Sequence, residues 1–194
     1  MVATTSDVRH TVARVDLEAL RGNVRAIAGL LEDGALASGR PAPGIIGVVK
    51  ANAYGHGAAA VARVLEDEGV AMLAVADVDE GVALREAGAR GPILVFGALG
   101  ISDLDGVFSH GLTPTISSPW AGRALAEAAA ARGTVLACHV KIDTGMNRLG
   151  LRHDNLARTL PAILAAPSLR VEALYTHFAT ADEPESDHFP EQQV

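Results

Sequence analysis

A lysine stands where an apolar run meets a glycine-flanked turn: Val48-Val49-Lys50-Ala51-Asn52-Ala53-Tyr54-Gly55-His56-Gly57. Desolvating an ammonium without a partner is costly, so a lysine at the end of a buried strand is commonly neutral, paired or chemically used. A desolvated amine forms a Schiff base with an aldehyde. Gly55 and Gly57 let the backbone come close as the chain turns into a helix. The N-terminus of that helix favours an anion such as phosphate. The alternative is a strand-end lysine that reaches solvent beside a Gly-rich turn.

Two further segments carry chemistry-bearing side chains. VKIDTGMNRLG (140–150) holds Lys141, Asp143 and Arg148, and YTHFATADEP (175–184) holds Tyr175 and His177. By residue type alone, Asp143, Thr144 and Gly145 also suit an ordinary turn after a strand, with Arg148 on a solvated helix end and His177 as a satisfied core histidine. His56 lies between two glycines at a turn. His110, His139, His153 and His188 show no carboxylate or cysteine spacing of a metal site. Asp182, Glu183 and Asp187 read as a solvated acidic loop.

These residues must be positioned by short apolar runs that alternate with helical patterns. The runs at 45–49, 72–75, 93–96, 114–116, 135–142 and 171–175 read as strands, mostly short enough and apolar enough to be buried on both faces of a parallel sheet. Between them, Val61, Val64 and Leu65 share one helix face, with Gly69 as a stop. Asp79 is expected to cap a helix carrying Val82 and Leu84 and ending near Gly88. Pro119 suits the first turn of an alanine-rich helix ending before Gly133. Asp154 is expected to open another, with Leu156, Leu160, Ile163 and Leu164 buried and Pro161 kinking or restarting it. Alternating strands and helices mean parallel βαβ units, as either a doubly wound open sheet or part of a (β/α)8 barrel. Residues 10–16 alternate like a strand with one wet face, ahead of a helix starting near Leu17.

Composition narrows the function classes. Hydrophobic residues are 49% and charged residues 20% of the 194, the balance of a soluble globular protein. A net charge of -7 speaks against nucleic acid, which is captured by basic stripes. One cysteine, Cys138, makes no internal disulfide and gives no sign of an oxidising compartment. No apolar run is long enough to span a bilayer, and the first ten residues lack a signal core. A cytoplasmic protein with no nucleic-acid or membrane partner is expected.

VVKANAYGHG closely resembles the cofactor-lysine motif of alanine racemases. VKIDTGMNRLG and YTHFATADEP match two more motifs of that family in the expected order, and VARVDLEALRGNV (12–24) is similar to its start. The resemblance implies a pyridoxal 5'-phosphate enzyme that interconverts L-alanine and D-alanine, supplying D-alanine for peptidoglycan. It implies that Lys50 forms the Schiff base with the cofactor and exchanges the α-proton. Tyr54 would bond the cofactor phosphate. Arg148 would lie near the cofactor's phenolic oxygen and the substrate, and Lys141, often carbamylated in the family, would orient Arg148. His177 would stand at the pyridine ring. A non-catalytic pyridoxal-phosphate-binding barrel is the alternative.

The implied fold is an α/β (β/α)8 TIM-type barrel. A complete barrel needs eight units in about 250 residues, and about six strands are legible here. The chain is therefore expected to be the N-terminal portion of a longer homodimeric enzyme, inactive by itself. Residues 1–20 would carry a strand belonging to a C-terminal β-domain, and residues 21–194 an incomplete barrel. The second base, a tyrosine of the partner's C-terminal domain, would lie beyond position 194.

Overall fold

A computed structural model describes residues 12–100, 104–183 and 185–193. The long helix α1 (Leu17–Ser38) starts where Asp16 caps it, the Asp16 carboxylate accepting the Ala19 N–H at 2.9 Å. It ends at Gly39 in the left-handed conformation. Then come β1 (Ile46–Val48), the single turn α2 (Lys50–Tyr54), α3 (Ala58–Asp67), β2 (Met72–Val75), α4 (Val78–Glu86) and β3 (Ile93–Val95). The remainder is α5 (Leu104–Ser109), β4 (Thr113–Ile116), α6 (Pro119–Ala131), β5 (Leu136–Asp143), β6 (Leu151–Arg152), α7 (Leu156–Leu164), β7 (Leu169–Tyr175) and α8 (His188–Gln193).

Every strand pair is parallel, and the order β1-β2-β3-β4-β5 follows the sequence, with β7 along β5 and the short β6 at the end of β5. A doubly wound sheet reverses its order at a switch point. None occurs here, so the winding is that of a barrel wall, and it is not closed. Helices α3, α4 and α6 pack on strands β2 to β5. Leu73, Val75, Ile93, Val95, Ile116 and Val140 are all essentially inaccessible, each worth about 1.5–3 kcal/mol when fully buried. β2 to β4 are buried along nearly their whole length, whereas β7 alternates between sheltered and exposed residues, the pattern of a strand covered on one face.

Several expectations shift by a residue or more. Asp77, not Asp79, caps α4, accepting the Glu80 N–H at 2.9 Å, and Asp79 sits in the first turn. Asp154 caps nothing. It pairs with Arg152 at 2.6 Å beside a 3-10 turn, and α7 begins only at Leu156. α7 runs through Pro161 without restarting, and Ala157, whose carbonyl loses its partner, is exposed. Leu164 is exposed too, about 100° round the helix from buried Ile163. Pro119 does occupy the first turn of α6, behind the Ser118 cap. Residues 12–16 of the expected first strand have no regular structure, and His10 and Thr11 lie outside the described residues. Among the described residues no helix is long and apolar enough to cross a membrane.

One ion-pair group fastens α1 to the end of α3. Glu68, after α3, accepts from Arg21 Nη1 and from Arg25 Nε, both at 2.6 Å. The Arg25 and Arg21 guanidinium groups hold its carboxyl down at about 2, against a usual 4.5. A carboxylate depressed in the folded state stabilises above its unfolded pKa and loses that contribution as pH falls. Glu68→Gln is therefore expected to unfold more easily than the parent from pH 7 down to about 5. The gap should close between pH 4.5 and about 2. Urea titrations at several pH values read this directly.

Candidate active site

The C-terminal ends of the parallel strands gather the side chains singled out by type and spacing, the end at which barrel enzymes build their sites. Lys50 follows β1 immediately, on the turn α2. Ala51, Asn52, Ala53 and Tyr54 all have positive φ, between 51° and 56°. A left-handed turn of L-residues costs about 1–2 kcal/mol per residue, so other contacts must hold it. Ala53 N–H donates to Val49 O at 2.8 Å, Gly55 N–H to Ala51 O at 3.0 Å and Gly57 N–H to Asn52 O at 2.9 Å. The Ala51 N–H donates to the Glu80 carboxylate at 2.6 Å. Gly55 and Gly57, at φ 85° and 91°, complete the reversal into α3.

The turn gives Lys50 a half-buried position instead of the buried one its strand-end place suggests. Its Nζ lies 5.3 Å from the Phe96 ring centroid at the end of β3 and 6.0 Å from the Tyr54 ring. Tyr54 itself is 60% exposed. The expected anion site at the start of α3 is partly taken, because Asn52 Oδ1 accepts the Ala58 N–H at 2.8 Å. His56 is a turn residue, its Nδ1 2.9 Å from Ala53 O.

Lys141, on β5, is the buried lysine, only 6% exposed. Its Nζ stands 5.0 Å from the ring centroid of Tyr175, whose hydroxyl is 2.9 Å from the Thr115 hydroxyl. Burial, then the nearby Arg148 charge, push the Lys141 amine below its usual range. Asp143 ends β5, and its Oδ1 accepts the N–H groups of Gly145 and Asn147, both at 3.0 Å. Burial opposes ionisation of Asp143, but the N–H groups of Asn147, Gly145 and Arg148 outweigh it and leave its carboxyl below the usual value. Asp143 to Gly145 thus form a hydrogen-bonded turn after β5, and the Arg148 charge beyond it bears on Lys141. Arg148 is exposed on the loop beyond the turn.

His177 lies two residues past β7, also exposed. Its ring is held below the usual histidine range by burial first, then by Lys141, Arg148 and Lys50. Lys50 just after β1, Lys141 on β5, Arg148 on the loop after β5 and His177 just after β7 thus lie towards the same end of the parallel sheet. Among the described residues, none of the three cations is in an ion pair, while the ion pairs that do form lie elsewhere. Residue spacing did not reveal Phe96, Thr115, Glu80 or Gln192. Gln192 on α8 reaches back to the Thr144 hydroxyl at 2.7 Å and to His177 O at 3.2 Å. These are long-range partners that only the fold brings close.

The family model described as "Alanine racemase, N-terminal domain" matches residues 15–194. The chain belongs to the alanine racemase family. The alanine racemase of Geobacillus stearothermophilus is 41% identical over 185 residues, which is 93% of this chain and 45% of that protein. The solved alanine racemase of Clostridium difficile 630 superposes with a TM-score of 0.82 at 35% identity, covering 91% of this chain and 44% of that one. A histidine racemase from Leuconostoc mesenteroides also superposes, with a TM-score of 0.79 at 29% identity and 91% and 45% coverage. The open sheet is thus an incomplete TIM-type barrel of this family, and the chain spans under half the length of these relatives.

Proposed function

We propose that the chain supplies the cofactor-lysine portion of a pyridoxal-phosphate-dependent racemase that interconverts L-alanine and D-alanine. The observation that carries this reading is the placing of Lys50, Lys141, Arg148 and His177 towards the C-terminal end of one parallel sheet, with no ion pair to the three cations among the described residues. An anionic aldehyde fits that donor set, and pyridoxal 5'-phosphate is one. Lys50 would hold its aldehyde carbon, Tyr54 its phosphate, Arg148 its phenolic oxygen and His177 its ring. When bound, that group supplies an electron sink for the charge left as the α-proton departs.

The chain's own residues do the rest. Lys50 Nζ takes and returns the α-proton on the D-alanine side. Arg148, permanently cationic, steadies a phenolate or the substrate carboxylate. Lys141, depressed by burial, holds more of its neutral amine than an exposed lysine does. That amine adds to carbon dioxide, forming a nitrogen–carbon bond and releasing a proton. The resulting carbamate turns repulsion from Arg148 into attraction. Burial first, and the Arg148 charge, hold the His177 ring below the usual histidine range. The second base, a homodimer, a segment ahead of α1 that joins a C-terminal β-domain, and a cytoplasmic role in cell-wall supply all belong to the same proposal for the whole protein.

The test is D-alanine formation by the full-length protein with added pyridoxal phosphate, run beside histidine as competitor, since a histidine racemase shares the fold. Alanine is expected to be favoured by at least about tenfold in kcat/KM. Arg148→Lys should lower turnover about ten- to a hundredfold, or about 1.4–2.7 kcal/mol. Its melting temperature should stay near the parent value, because Arg148 is exposed and its side chain takes part in no ion pair among the described residues. Cofactor binding without turnover on any amino acid would favour a non-catalytic barrel instead.

A further inference from the structure

We propose that Glu80 is a positioning residue for Lys50, its carboxylate pinning the left-handed turn that decides where Lys50 and Tyr54 stand. This rests on the reading of Lys50 as the cofactor lysine, but the contact itself stands on geometry. Glu80 lies in the first turn of α4, one βα unit away from Lys50. Its Oε1 accepts the Ala51 N–H at 2.6 Å and its Oε2 accepts the Ala76 N–H at 2.8 Å. Asp77 fixes the Glu80 backbone in turn, by capping α4.

Ala51 is the residue after Lys50 and the first of the four with positive φ. Ala76 lies just beyond β2, and its carbonyl accepts the Gly97 N–H at 3.0 Å. Gly97 follows Phe96, the ring nearest the Lys50 ammonium among those described. One carboxylate therefore joins the ends of β1 and β2, and through Ala76 reaches the end of β3 against which Lys50 rests. A carboxylate can accept from two N–H groups at once. A glutamine has one acceptor oxygen and would turn its own N–H2 towards the second donor. Bonds to an ionised acceptor are also the stronger kind. Losing one frees the Ala51 amide, and L-residues released from the left-handed region return to more populated conformations. Lys50 then leaves the mouth, although the two bonds that the Glu80 carboxylate accepts come from backbone N–H groups and not from Lys50 or Tyr54.

The experiment compares the full-length protein, Glu80→Gln, and Glu80→Gln with Ala51→Gly. Three quantities are read: hydrogen exchange of peptide 49–57 without cofactor, the Kd for pyridoxal phosphate, and kcat and KM for alanine. In Glu80→Gln, exchange of 49–57 should quicken by about tenfold or more while peptide 136–143 stays within about twofold. The Kd should rise about tenfold or more, and kcat should fall by as much with the alanine KM within about threefold. Glycine carries no Cβ penalty at positive φ, so Ala51→Gly in the same chain should bring the Kd back to within about threefold of the parent. Unchanged protection of 49–57 in Glu80→Gln would overturn the proposal. So would equal loss of protection in 136–143, which marks a general structural role. If borohydride reduction of the parent places the cofactor on another lysine, the Lys50 reading fails, and the exchange data still decide the Glu80 contact.

Discussion

Lys50→Ala in the full-length protein is expected to lower alanine racemisation at least about ten-thousandfold, roughly 5 kcal/mol of barrier. The site concentrates two tasks on one Nζ: covalent attachment of the cofactor and transfer of the α-proton. Removing the amine removes both. Arginine does not replace it, because a guanidinium keeps the charge but neither adds to an aldehyde nor gives up its proton near neutral pH. The fold should survive, since Lys50 is half-buried, takes part in no ion pair among the described residues, and makes its two recorded contacts with aromatic rings. A small primary amine added to Lys50→Ala should restore part of the lost rate. A Lys50→Ala protein within about tenfold of the parent would mean that another group moves the proton.

The second large effect falls on stability. Gly97→Ala would place a methyl group 2.0 Å from the carbonyl oxygen of Ala76, a backbone atom with nowhere to go. The close approach exists because Gly97 N–H donates to that same oxygen. The ends of β2 and β3 must separate, at about 2–3 kcal/mol, the upper part of the range for overpacking. Phe96 moves with them, so the Kd for pyridoxal phosphate should also rise. Gly22→Ala is the matching control. It lies mid-helix in α1 with open space around it, and should stabilise by about 0.5–1 kcal/mol. Urea unfolding of both variants is expected to give shifts of opposite sign.

The barrel wall was legible because its strands are apolar on both faces. Residues 72–75 read as a strand at their observed limits, since all but Met72 are buried. At β1, β3 and β5 the limits slip by one residue. Paired ends are set by neighbouring strands and not by local composition: Val49 still donates to Ala74 O although it stands outside β1. The two-residue β6 is too short to leave a pattern. Lys50, Tyr54, Lys141, Arg148 and His177 could be named from three motifs, and the fold sets them at one end of the sheet. The left-handed turn was not legible, because Ala51 and Ala53 carry no signature for positive φ, and only Asn52 tolerates it readily. Glu80 was hidden for a different reason. It lies 29 residues from Ala51, and nothing in the intervening chain announces that two βα units share a carboxylate. The difference between Asp77 and Asp79 is a choice between two equally good caps that only the end of β2 resolves.

The central claim, that Lys50 is the residue holding the cofactor, is tested most directly by reduction and mapping. The full-length protein is incubated with pyridoxal phosphate, reduced with borohydride, digested and analysed by mass spectrometry. The account predicts one pyridoxyl adduct, on the peptide containing Val49, Lys50 and Ala51, and none in Lys50→Ala. An adduct on Lys141, or one that persists undiminished in Lys50→Ala, would contradict it.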